Sequence, residues 1–159
     1  MRLFYSRRVP ATACNPLTEM AQGPEGADDR LPIGPLVVVV TGSRDWVNYW
    51  LVEQNLNLFW IGILHEGGAR GADTFARYWA MRHSVEHQQH RANWVQEGRA
   101  AGPRRNVRMY STAQPDLVVA FKDNFGENPR GGTEHMVSLA RKGETPVWLV
   151  GDGQARWLP

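Results

Sequence analysis

Four short segments of this 159-residue chain set glycine beside arginine, hydroxyl or amide side chains, the residue types that hold an anion. In Thr41-Gly42-Ser43-Arg44-Asp45, Gly42 permits a tight turn, Ser43 and the neighbouring amides can donate to a phosphate, and Arg44 can neutralise it. The competing use is an ordinary strand-to-helix turn with Ser43 or Asp45 as N-cap. In the stretch from His65 to Asp73, Gly67, Gly68, Ala69, Arg70 and Gly71 precede a helix and form a loop whose amides can cradle an anion. Asp73, at that helix start, either bonds a ribose hydroxyl or caps the helix. No Gly-Lys-Ser/Thr follows, so the loop is not a Walker A motif, and its glycines also miss the Gly-x-Gly-x-x-Gly spacing.

The third segment runs from Gly102 to Met109 at another helix start, where helix N-termini already attract anions. Arg105 adds a bidentate phosphate donor and Asn106 a group that can read a base or ribose, while Arg104 and Arg108 fit a solvated basic face. The fourth, Pro129 to Glu134, leads Gly131, Gly132 and Thr133 into a helix as a further anion turn, with Thr133 as a plain N-cap the alternative. His83-Ser84-Val85-Glu86-His87 also matches the His-x-x-Glu-His pattern of inverted zinc peptidases. It falls where a helix should end, so no metal site is expected from it.

The elements that must hold these segments alternate. Leu36 to Val40 is a short β-branched run of the kind buried on both faces inside a parallel sheet. A helix is expected within Val47–Trp60, a strand at Ile61–His65, and a helix at Ala72–Met81 with Phe75, Tyr78 and Trp79 on one face. A third strand is placed in Val85–Trp94, then a helix from Pro103 to about Thr112, a strand at Leu117–Phe121, a helix at Thr133–Arg141 ended by Gly143, and a last strand at Pro146–Val150. This order predicts an α/β fold, a single Rossmann-like domain whose central, mainly parallel sheet of about five strands is flanked by helices. Ligands of such sheets sit beyond the carboxyl ends of the strands, the edge that all four segments should share.

Residues 1–35 hold Pro10, Pro16, Pro24, Pro32 and Pro35, half of the ten prolines, without periodicity, and are expected to form an arm or poorly ordered leader before a domain at 36–159. Composition is globular, with 42% hydrophobic and 21% charged residues. A net charge of +2 is too weak to imply a nucleic-acid partner by itself. The single cysteine, Cys14, excludes an internal disulfide and a cysteine-rich zinc site. No apolar run spans a bilayer and no apolar stretch follows the basic start, so the expected location is cytoplasmic, without membrane or secretory signal. The seven tryptophans allow a homodimer, although core packing explains them equally well.

Taken together, Val-Thr-Gly-Ser-Arg at 40–44, Gly-Gly-Ala-Arg-Gly-Ala-Asp at 67–73, Ala-Gly-Pro-Arg-Arg-Asn at 101–106, Pro-Asp-Leu-Val-Val-Ala-Phe at 115–121 and Gly-Gly-Thr-Glu-His-Met at 131–136 resemble the YspA/YpsA-related branch of the SLOG superfamily. The resemblance runs in order from about Leu36 to Val150. It implies a Rossmannoid sheet, a nucleotide-derived ligand, a bacterial or phage setting (then the host cytoplasm), and no defined reaction or cofactor. Two related families set the alternatives. LOG-type phosphoribohydrolases cleave nucleoside monophosphates at the N-glycosidic bond with a Pro-Gly-Gly-x-Gly-Thr-x-x-Glu motif. Here Met136 stands at the place of that glutamate and the third glycine is missing. A carboxylate for an oxocarbenium-like transition state would have to come from Glu134, Asp73 or Glu66. DprA-type proteins bind single-stranded DNA, a role in which Arg104, Arg105 and Arg108 would track a backbone and Trp94 would stack a base.

Overall fold

A computed structural model describes Pro24 and residues 26–159; the expected arm over 1–23, with Cys14, lies outside the described residues. The strands are β1 (Leu36–Gly42), β2 (Ile61–Glu66), β3 (Glu86–Gln89), β4 (Leu117–Phe121), β5 (Val147–Gly151) and β6 (Gln154–Leu158). They form one six-stranded sheet in the order β3-β2-β1-β4-β5-β6. β1 to β5 are parallel, and β6 alone runs antiparallel, on β5. The helices are α1 (Tyr49–Leu56), α2 (Ala72–Arg82), the single turn α3 (Trp94–Glu97), α4 (Ala101–Ala113) and α5 (Gly132–Lys142).

The central strands are buried on both faces, which is why they read as unbroken apolar runs. Their side chains still alternate. Val38, Val40, Leu117, Val119, Phe121, Trp148 and Val150 pack on one face under α1 and α2, through Val52, Leu56, Ala76 and Trp79. Val39, Val118, Ala120, Val147 and Leu149 pack on the other under α4 and α5, through Met109, Met136, Val137 and Ala140. The chain leaves β1 toward one face and β4 toward the other, so a crevice opens between the carboxyl ends of these neighbours. That is the topological switch point where open α/β sheets bind ligands.

Four details differ from the sequence reading. β6 follows the expected last strand, because Asp152 (φ 51°) and Gly153 (φ 72°) make a two-residue turn of left-handed conformation that folds the chain back as a hairpin. The third strand is only Glu86–Gln89, an edge strand with mostly exposed side chains, and Trp94 belongs to α3 instead. Tyr78 is 51% exposed, since α2 buries Ala72, Ala76, Trp79 and Ala80, and a residue two positions from Ala76 and Ala80 faces away. Asn48, not Ser43 or Asp45, caps α1, accepting from the Leu51 amide at 3.1 Å. His83 caps the end of α2 while Glu86 and His87 lie in β3, so the zinc-like pattern has no helix to align its side chains.

Candidate functional site

Close backbone approach builds the site. A Cβ on Gly42 would meet the Phe121 carbonyl at 2.6 Å and the Ala72 Cβ at 2.5 Å, so the end of β1 fits only glycine between β4 and α2. Beyond it the Ser43 amide donates to the Phe121 carbonyl at 2.8 Å, and the Ser43 carbonyl accepts from the Ala72 amide at 3.2 Å. Gly71, at φ 76°, brings its Cα against the Ser43 and Arg44 carbonyls. Gly71 therefore locks the loop after β1 to the glycine-rich loop after β2; it lines neither cavity described below.

The glycine-rich loop is organised by two buried carboxylates. Asp73 Oδ2 accepts from the amides of Gly67 at 3.0 Å and Ala69 at 3.3 Å, and Glu66 Oε2 accepts from the Gly68 amide at 2.5 Å. The amides expected to cradle an anion are thus turned onto the protein's own acids. Burial pushes the Asp73 carboxyl up to about 7 against the pull of the Arg105 guanidinium. Burial also raises Glu66, whose other oxygen, Oε1, has no hydrogen-bond partner.

Arg105 and Asn106, early in α4, tie three segments together. Arg105 Nη1 donates to the carbonyl of Gly67 and, at 3.1 Å, to that of His90, while its Nε donates to Asn106 Oδ1 at 2.9 Å. Asn106 Nδ2 then donates to the Gly132 carbonyl at 3.0 Å. Asn106 is buried, with both ends of its amide engaged, so it sets the position of the turn before α5. Behind Arg105, His65 Nδ1 lies 2.9 Å from His90 Nε2, and burial lowers both imidazoles. Glu134 is paired with Lys122 at 2.5 Å and pins the turn after β4.

Two cavities adjoin along this edge. The first, about 370 Å³, occupies the switch point between Thr41–Arg44 on one side and Gly131–Thr133 on the other, with Ala69, Asp73, Arg105 and Asn106 at its inner wall. The second, about 530 Å³, lies over Gly67–Arg70 and is rimmed by Arg44, Arg91 and Arg105. Both are in the size range of small-molecule sites. Of the residues singled out in the sequence, Gly42, Ser43, Asp73, Asn106, Gly131, Gly132 and Thr133 line the first cavity, Gly67, Gly68 and Arg70 the second, and Arg44, Ala69 and Arg105 both. Glu66 and Glu134 line neither.

The structure adds residues to which the sequence reading gave no role, Thr41, Arg130 and His135 among them although they stand inside its segments. Thr41, Lys122, Asn128, Arg130 and His135 line the first cavity, and Arg91 the second. Thr41 and Lys122 carry the signal of standing at or just after the end of a buried strand. Trp94 lines both cavities and is 50% exposed, with the Arg44 guanidinium 5.5 Å from its ring centre. Thr41 and Thr133 are each more than nine-tenths buried and line the first cavity. Among those residues no group of three histidine, cysteine or acidic side chains is placed to hold a metal ion, and no helix is long and apolar enough to cross a membrane.

The family model of the YspA, cpYpsA-related SLOG family matches residues 36–96, from β1 into α3. The chain is similar to the Gene 61 protein of Mycobacterium phage D29, with 36% identity over 126 residues that cover 72% of this chain and 96% of the phage protein. No solved structure matches it significantly.

Proposed function

We propose that this chain, which belongs to the YspA, cpYpsA-related SLOG family, binds a phosphate-bearing, nucleotide-derived ligand at the carboxyl edge of its sheet. The observation that carries the reading is the first cavity at the switch point. It joins the largely buried residues Thr41 and Thr133 to the start of α5 and the cations Arg44 and Arg130, with the Lys122–Glu134 pair beside them. Hydroxyls, arginines and a helix N-terminus gathered in one cavity suit the acceptor oxygens of a phosphate. Family membership supports a nucleotide-related role, and the likeness to a phage protein fits action in the cytoplasm of a bacterial host.

The ligand is bound without rapid cleavage of its glycosidic bond. Asp73 is the one carboxylate of Glu66, Asp73 and Glu134 that lines the groove, and its Oδ2 already holds the Gly67 and Ala69 amides. Glu134 is neutralised by Lys122. A developing oxocarbenium would lack a free carboxylate, a loss worth several-fold to many-fold in rate. The test is thermal denaturation against nucleotides, nucleotide sugars and short oligonucleotides, followed by chromatography of any ligand that raises the midpoint. Stabilisation without base release is expected. Multiple turnovers of base release would replace the binding reading with an N-glycosidase, and stabilisation by oligonucleotides alone would replace it with single-strand binding.

A further inference from the structure

We infer that the groove selects a nucleotide carrying two separate phosphates, with its base stacked on Trp94 between them, the chemistry of a nucleoside bisphosphate. This rests on the nucleotide reading above and specifies its ligand. The two cavities meet along a seam formed by Arg44, Ala69, Trp94 and Arg105. On one side of the seam stand Thr41, Thr133 and Arg130. On the other side Arg91, and Arg70 with its Asp45 partner at 2.9 Å, join the two seam arginines, and no carboxylate is among the residues lining that cavity. Arg44 and Arg105 border both cavities, while Arg130 belongs to the first alone and Arg70 and Arg91 to the second alone, so each side keeps a cation of its own for a phosphate.

Trp94 is held for this place. Its helix is one turn long, started by Asn93, whose Oδ1 accepts from the Gln96 amide at 3.2 Å. Glu97 receives both Nη atoms of Arg108, at 2.6 and 3.0 Å, which fastens the turn to α4. The far edge of the indole lies 3.4 Å from where a Cβ of Gly102 would be, ordinary contact distance, so the ring rests against α4. A tryptophan secured on three sides and still half exposed offers a fixed π-face, and an indole face accepts any base by stacking. The Arg44 guanidinium lies 5.5 Å from the centre of that ring, a cation–π contact that sets a positive charge beside the stacking face.

The experiment is calorimetric titration of the full chain with the 5′-monophosphates and the 3′,5′-bisphosphates of the four ribonucleosides, and with ribose 5-phosphate. At least one bisphosphate should bind tenfold or more tightly than its monophosphate, and ribose 5-phosphate should bind weakest. Arg91→Gln should collapse the bisphosphate advantage, reducing bisphosphate affinity more than monophosphate affinity. Trp94→Ala should weaken both nucleotides about tenfold or more, and Trp94→Phe should keep most of the affinity, with melting curves confirming that each variant is folded. Equal affinity for mono- and bisphosphates, an unchanged ratio in Arg91→Gln, or unchanged binding by folded Trp94→Ala would overturn the inference while leaving nucleotide binding intact. Absence of binding by every nucleotide would overturn both.

Discussion

Asp73 shows what the sequence could and could not convey. Its place at a helix start after a glycine-rich loop was legible, because the loop composition and the apolar face of the helix are local patterns. That its carboxylate gathers the loop's own amides was not, since this depends on how the loop curls back over α2. Its proton uptake gives a test. The folded protein holds a proton on Asp73 up to about pH 7, whereas the unfolded chain releases it near the ordinary value of 3.8. Stability from this group therefore falls as pH rises between those values. Asp73→Asn should flatten the downward slope of the melting midpoint with pH in that window. The lowered histidines act in the opposite sense, losing stability as pH falls below 6.5, but they are common to both proteins. A variant with the wild-type slope would show that Asp73 is ionised throughout. Arg105 was legible as a cation facing the groove, yet it also anchors the Gly67 and His90 carbonyls. Arg105→Ala should thus lower stability by about 1.5–3 kcal/mol in denaturant melts as well as weaken ligand binding; an unchanged melt would mean the two carbonyls find other donors.

The strands and helices that frame the groove were legible where periodicity is strong. β1, β2, β4 and α5 match their expected positions within a residue or two, as buried parallel strands and amphipathic helices should. β6 was missed although Asp152-Gly153 is a strong hairpin signal, because Gln154–Leu158 lies on an edge with its first three residues exposed and only Trp157 and Leu158 packed on the core, too short an apolar run to read as a strand. The stretch Val85–Trp94, into which the strand is placed, has no clear periodicity to show where the strand ends. The Asn93 cap and the Glu97–Arg108 pair instead close a single helical turn, and only the fold brings α4 near enough for that pair. Pairing also governs the turn after β4. Glu134→Ala removes the partner of a mostly buried Lys122 and the acceptor for the Gly126 amide, so it should cost about 1–3 kcal/mol and speed hydrogen exchange in 122–126. Unaltered exchange there would show that the loop is held by its other contacts, such as Asp152 with Asn124.

The whole chain divides less sharply than its composition suggests. The expected domain start at Leu36 leaves out Leu31, which packs against the core, and Arg30, which donates to the Glu144 carbonyl at 3.1 Å. Deleting 1–25 should leave the melting midpoint unchanged. Deleting 1–33 should lower it by roughly 2–8 °C, from about 1–2 kcal/mol of lost burial, while keeping one cooperative transition. Equal midpoints for the two truncations would show that Leu31 contributes nothing, and a loss of cooperativity on the shorter deletion would show that the first residues belong to the core. The central claim concerns the groove, and Gly132 tests it most directly. A Cβ there meets no atom within 4 Å, so Gly132→Val leaves the fold its space while filling the mouth of the first cavity. The measurement is the melting midpoint of the wild-type chain and of Gly132→Val with and without a panel of nucleotides. The account predicts equal midpoints without ligand, and a nucleotide near a hundred times its Kd that raises the wild type by roughly 5–10 °C and the variant hardly at all. A nucleotide that stabilises both proteins equally, or a panel that stabilises neither, would contradict it.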